Sequence, residues 1–213
     1  MTELKIKERF QEINHLDQLD FLFEIYNLRE TRKKIDSKLR SMKRKLKSSP
    51  NQKIINGLEA LKVIITEDNS MLKNLTTKIV ARCDLFGLVR NLENNKKYLK
   101  NLEKERKNLR IDPETYEITK GHYLQKMIDI NNSLIELRNS ALSYFDELKD
   151  ELITLEDQRI VLTADKMRKI ITKEVFKEKI KDVEVSKQKI EEKLAFLQVE
   201  IIDCDLIKKI GGD

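Results

Sequence analysis

Ten of the nineteen residues from Arg29 to Lys47 are basic: Arg29, Arg32, Lys33, Lys34, Lys38, Arg40, Lys43, Arg44, Lys45 and Lys47. Only Glu30 and Asp36 oppose them, so the segment carries a net charge of +8, against +6 for the whole 213-residue chain, and the remainder sums to −2. Cations at this density attract phosphates, whether on an anionic membrane surface or on nucleic acid. Aromatic side chains are not interleaved with the charges, which argues against stacking on single-stranded bases. A membrane surface or an acidic protein partner therefore leads nucleic acid, and a merely solvated helix face would have the same composition.

Other chemistry is sparsely encoded. Glu12 and His15 have the i, i+3 spacing of carboxylate-bridged metal sites in helical bundles, but such a site needs the motif twice. The one other histidine, His122, has Thr119 at the matching position. No metal site or cofactor is expected. Two histidines support no Ser/His/Asp or Cys/His arrangement, and no glycine-rich phosphate loop exists, so the expectation is a protein that is not an enzyme. Cys83 and Cys204 match neither a disulfide framework nor a metal-ligand spacing, which fits a reducing cytoplasm. No apolar run approaches the ~18 residues of a membrane span. Peripheral attachment remains open through Leu4–Leu22, where Leu4, Phe10 and Ile13 fall on one side of a helix and Lys5, Lys7 and Arg9 elsewhere.

The elements that must carry the basic run are helical. Charged residues make up 38% of the chain and aromatics 6%, with five glycines and two prolines, the composition of long helices joined by narrow seams. The first helix is expected to begin within the first residues and to run to about Lys47, with Phe21, Ile25, Leu28, Ile35, Leu39, Met42 and Leu46 in alternating steps and Arg32 interrupting them. In "FLFEIYNL" the apolar residues cover more than one face, so this part should touch two neighbours. Pro50 stops the helix. A second helix from Asn51 carries Ile54, Leu58, Leu61, Ile65, Leu72, Leu75 and Ile79, with Asp68 as a polar gap. Continued to Arg110 it would span roughly 90 Å, kinked near Gly87.

Asp112, Pro113 and Glu114 read as a helix start: an acceptor for free amides, a proline whose missing donor costs nothing in the first turn, and an acid that complements the dipole. The chain reverses there. Thr119 and Gly121 leave room for a local break, after which Tyr123, Met127, Ile130, Leu134, Leu137, Ala141, Tyr144, Leu148, Leu152 and Leu155 continue the seam. Thr172 marks a second start, after a break between Thr163 and Thr172. "IDPETY" (111–116) aligns with "ITKEVF" (171–176) at an offset of 60, and "LEKERKNLRID" with "LEDQRIVLTAD" at 53. Heptads align with themselves at any multiple of seven, so duplication and coincidence both remain open. The last helix carries Phe176, Ile180, Val183, Ile190, Leu194, Leu197 and Ile201, and Gly211 is its natural stop.

The stretches "RIDPETYEITKGHYLQKM" and "IITKEVFKEKIKDVEVSKQKIEEKL" resemble helical hairpins in archaeal coiled-coil proteins, including those of the cell-division and ESCRT-related machinery. That resemblance implies a scaffold that recruits or assembles with membrane-remodelling filaments. From the residues themselves the expected fold is all-α, with about four long helices in elongated antiparallel hairpins or a coiled-coil bundle. Residues 1–110 would form an N-terminal hairpin with the basic segment 29–47, and residues 111–213 a C-terminal one. The expected role is a non-catalytic scaffold or adaptor, cytoplasmic or peripheral to a membrane. Its seams would serve protein partners or a second copy, although a bundle closed within one chain satisfies the same pattern. A nucleic-acid-associated coiled coil is the alternative.

Overall fold

A computed structural model describes residues 15–48 and 51–204. The protein is all-α, and five helices account for nearly all of the described residues. These are α1 (His15–Ser48), α2 (Gln52–Lys78), α3 (Leu85–Lys107), α4 (Pro113–Met167) and α5 (Lys173–Phe196), with a 3-10 turn at Ala81–Cys83 and a π-helical turn at Leu197–Ile202. Two compact units result, Met1–Leu85 and Phe86–Asp213. Pro50, Glu12, Gly211 and most of the amphipathic segment before His15 lie outside the described residues.

In the first unit α1 and α2 form an antiparallel hairpin. Gln18 meets Lys78 and Val80, Arg32 meets Ile65 and Asn69, and Met42 meets Gly57, so positions descend one helix as they climb the other. Asn51 caps α2 through its side-chain oxygen, which accepts from the Lys53 amide at 2.8 Å. The core is thickest at Leu19, Leu22, Phe23 and Ile25, over an arc of α1 wider than one seam. Each such side chain, withdrawn from water, contributes roughly 1.5–3 kcal/mol. Towards the turn the seam thins, and Ile35, Leu39, Met42 and Leu46 are only half-buried.

The expected continuous second helix is corrected. It ends at Lys78, with six residues between it and the start of α3, and Gly87 lies within α3 instead of at the break. Gln18 supplies the reason: its Nε2 donates to the Lys78 carbonyl at 3.4 Å and its Oε1 accepts from the Val80 amide at 2.9 Å. One buried side chain thus satisfies a terminal carbonyl and the amide two residues beyond it, and an extended exit through Ile79 and Val80 becomes stable. Asp84 stands directly before α3, where a short acceptor favours a helix start. Among the described residues there are consequently five helices instead of about four, and residues 86–110 group with the second unit.

In that unit α4 is a 55-residue spine, unbroken through Thr119 and Gly121. α3 lies antiparallel along its first part, where Tyr98 stacks on Tyr123 at 5.7 Å and Arg106 approaches the Tyr116 ring. α5 lies antiparallel along the rest, through Glu156–Lys187, Arg159–Glu184 and Lys193–Tyr144. The deepest residues are Leu134, Leu137 and Ala141 at the middle of α4, with Leu92 of α3, Phe196 at the end of α5 and Leu197 and Ile201 in the π-helical turn that follows it. The π turn brings Ile201 and Ile202 inward together, and Arg138 donates to the Ile202 carbonyl at 3.3 Å.

The two reversals are built alike. Leu109 (φ 54°) and Lys169 (φ 59°) take the left-handed conformation that ends a helix. Arg110 then bonds back to the Glu105 carbonyl and Ile170 to that of Asp165. The next helix is capped by Asp112 onto the Thr115 amide at 2.9 Å and by Thr172 onto the Val175 amide at 3.4 Å. Arg106 faces the Tyr116 ring as Lys166 faces the Phe176 ring. Every pair is separated by 60 residues, so the turn geometry repeats at that offset.

Candidate anion-binding surface

The basic residues ride on the outer side of α1 because the inner side is occupied by the seam. At 100° per residue, Ile35, Leu39, Met42 and Leu46 fall together facing α2. Lys34, Lys38, Arg40, Lys43, Arg44, Lys45 and Lys47 fall on the remaining arc, and all are exposed. Arg29 is exposed beside them. Lys33 is also exposed and pairs with Glu30 one turn earlier. These cations share a single straight element, with Lys33 and Lys45 about 18 Å apart along the axis.

Arg32 is placed differently. Its guanidinium is turned to the seam, donating to the Ile65 carbonyl at 3.3 Å and to Asn69 Oδ1 at 2.7 Å, with Asp36 at 3.4 Å. The interruption it makes in the apolar pattern is therefore a cross-hairpin clamp, and its charge is already engaged. Asp68, the polar gap of α2, is buried, and its Oδ2 accepts no hydrogen bond among the described residues.

A groove of about 650 Å³ runs along the outer face, lined by Lys33, Asp36, Ser37, Arg40, Ser41, Arg44 and Lys45. Ser37 and Ser41 lie one turn apart at its centre with cations on both flanks, adding hydroxyl donors to the charge. Sequence reasoning attended to the charges and passed over these serines; their i, i+4 spacing inside the basic run is the signal that would have found them. Hydroxyls and ammonium or guanidinium groups on one face can hold an oxyanion, and they offer no nucleophile–base pair.

The predicted turn residues Asp112, Pro113 and Thr172 sit where helices begin, with both cap hydrogen bonds formed. Asp112 accepts the Thr115 amide, which holds its carboxyl below the ordinary value of 3.8. Among the described residues no group of His, Cys, Asp and Glu could hold a metal ion, and Glu12, half of the one motif considered, lies outside them. Cys83 is buried and Cys204 half-buried, and no disulfide joins them. No helix among the described residues is long and apolar enough to cross a membrane.

No protein-family model, curated protein or solved structure matches the chain.

Proposed function

We propose that this protein is a non-catalytic, coiled-coil scaffold or adaptor that binds an anionic surface through the outer face of α1. The observation that carries the reading is the separation of roles on that helix. Its apolar residues and Arg32 are turned to α2, whereas the other basic residues of 29–47 are exposed around a serine-centred groove. A rigid helix with cations spread around its outer arc suits a sheet of phosphates better than one small anion, because the cations are strung along the helix axis on both sides of the groove and do not converge on one point. Its working place is the cytoplasmic side of a membrane, held peripherally. Protein partners or further copies would meet the helical faces that these intramolecular seams leave open. The link to membrane remodelling or cell division rests on the resemblance of the two turn sequences to archaeal hairpins.

The test is flotation of the full chain with vesicles containing anionic lipid, with neutral vesicles alongside. Binding to anionic vesicles alone supports the reading. Binding to duplex DNA in preference to vesicles, falling steeply with salt, would replace it by the nucleic-acid reading.

A further inference from the structure

The second unit carries a surface of the opposite kind. From Asp146 to Asp157 six residues are acidic and only Lys149 is basic, a net charge of −5. Glu156 is tied to Lys187 and Arg159, and Asp146 pairs at 3.8 Å with Lys149 one turn on while staying open to solvent; Asp150 and Asp157 are exposed as well. At helical spacing Asp146, Asp150 and Asp157 share one face of α4 with Leu142, Ile153, Ile160 and Met167. The last three are 61%, 64% and 78% exposed, too open for residues whose place is settled by the α4–α5 seam. That seam uses the face of Leu148, Leu152 and Leu155, roughly a third of a turn away. A groove of about 340 Å³ follows the apolar face past Ile160, Ala164 and Met167.

We infer that the face of α4 from Leu142 to Met167 is a docking surface for an amphipathic helix of a partner protein, one with Leu or Ile at helical spacing flanked by Lys or Arg. A third helix laid beside the α4–α5 pair would cover the open apolar residues, and its cations would meet Asp146, Asp150 and Asp157. Charge decides between occupants. Two copies pairing through this segment bring net −5 against net −5, which opposes association. The chain's own α1 has the right charge, but its apolar residues face α2, and its outer arc offers serines and charges only. The fitting partner combines both features on one helix.

The probe is a labelled synthetic peptide of about twenty residues with a Leu/Ile stripe and Lys flanks. A scrambled peptide of the same composition and a Glu-flanked version serve as comparisons, all titrated against the full chain. Because α1 is strongly basic it repels the Lys-flanked peptide and attracts the Glu-flanked one, so the titrations use the full chain carrying Lys33, Lys34, Lys43 and Lys45→Glu, whose segment 29–47 has a net charge of zero, and binding then reports on α4. The expected result is binding of the Lys-flanked helix, with the scrambled peptide at least about tenfold weaker and the Glu-flanked one weaker still. Replacing Asp146, Asp150 and Asp157 by Lys should reverse the preference between Lys- and Glu-flanked peptides. The double change Ile153→Ser and Ile160→Ser should weaken both, with the circular dichroism spectrum unchanged because these side chains are exposed. Equal binding of the scrambled peptide, or an unchanged preference after charge reversal, would overturn the inference. So would a dimer in light scattering that Ile160→Glu dissociates, since a second copy would then occupy the face.

Discussion

The outer face of α1 and the open face of α4 are both strongly charged and both solvated, yet they differ in what lies between the charges. On α1 the centre of the charged arc holds Ser37 and Ser41, and every apolar residue of the segment is turned to α2. On α4 the centre holds Leu142, Ile153, Ile160 and Met167, with the acids beside them. A face of charges and hydroxyls gains its free energy from counterion release and long-range attraction, and tolerates many arrangements of its target. A face with an apolar stripe demands a shaped partner, because burial rewards only what fits. Net charge alone does not separate these two modes; the residues between the charges do.

Replacing Lys33, Lys34, Lys43 and Lys45 by Glu breaks the comparison most severely. The segment 29–47 falls from a net +8 to zero, since four charges each change by two. Anionic-vesicle binding should disappear, as read by flotation. Far-ultraviolet circular dichroism should keep its helical signal, because all four residues are exposed. Peptide binding at α4 should persist.

Salt gives the next largest effect. Between 50 mM and 500 mM, vesicle binding through α1 should fall by more than about tenfold, as screening and lost counterion release both act against it. Peptide binding at α4 should fall less, since part of it is apolar. Equal salt dependence would erase the distinction drawn between the faces.

Arg32→Ala sharpens the comparison within α1. Losing its bonds to the Ile65 carbonyl and Asn69 should cost about 1 kcal/mol of stability, read by chemical denaturation. Vesicle binding should change much less than in a Lys43→Ala variant. This residue also marks the limit of what the sequence offers. The all-α class, the starts at Asp112 and Thr172 and the location of the charge were all legible, because periodicity and cap residues are local signals. Whether a cation in a basic run points outward or across the hairpin depends on which residue of the other helix stands opposite. The periodic pattern places Arg32 in the seam, but only the pairing with Ile65 and Asn69 explains it. The break after Lys78 was hidden for the same reason, since it depends on Gln18, sixty residues away along the chain. The serines and the α4 face were readable in principle, from i, i+4 spacing and from six acids in twelve residues.

In the second unit, Asp112→Ala and Thr172→Ala should each cost about 1 kcal/mol, leaving vesicle binding unchanged. Stability there also carries a pH signature. The Lys187 hydrogen bond, followed by its charge, lowers Glu156 below its ordinary 4.5, and Glu156 in turn raises Lys187 above 10.5. A lowered acid stabilises above its unfolded value and loses that contribution as pH falls through the folded one. A raised lysine stabilises below its unfolded value and loses it as pH rises through the folded one. The pair therefore supports the α4–α5 hairpin most fully between pH 4.5 and 10.5. In Lys187→Met the acid-side loss should shrink, as followed by thermal melts across pH. The smallest effect is a gain: Gly121→Ala meets no atom within 4 Å and should stabilise α4 by up to about 1 kcal/mol.

Flotation of the unmodified chain with anionic and neutral vesicles at physiological salt tests the central claim most directly. Binding to the anionic vesicles only, lost in the Lys33, Lys34, Lys43 and Lys45→Glu variant, is the predicted result. No flotation with either vesicle, or flotation that survives that variant, would contradict the assignment of α1 as an anionic-surface helix.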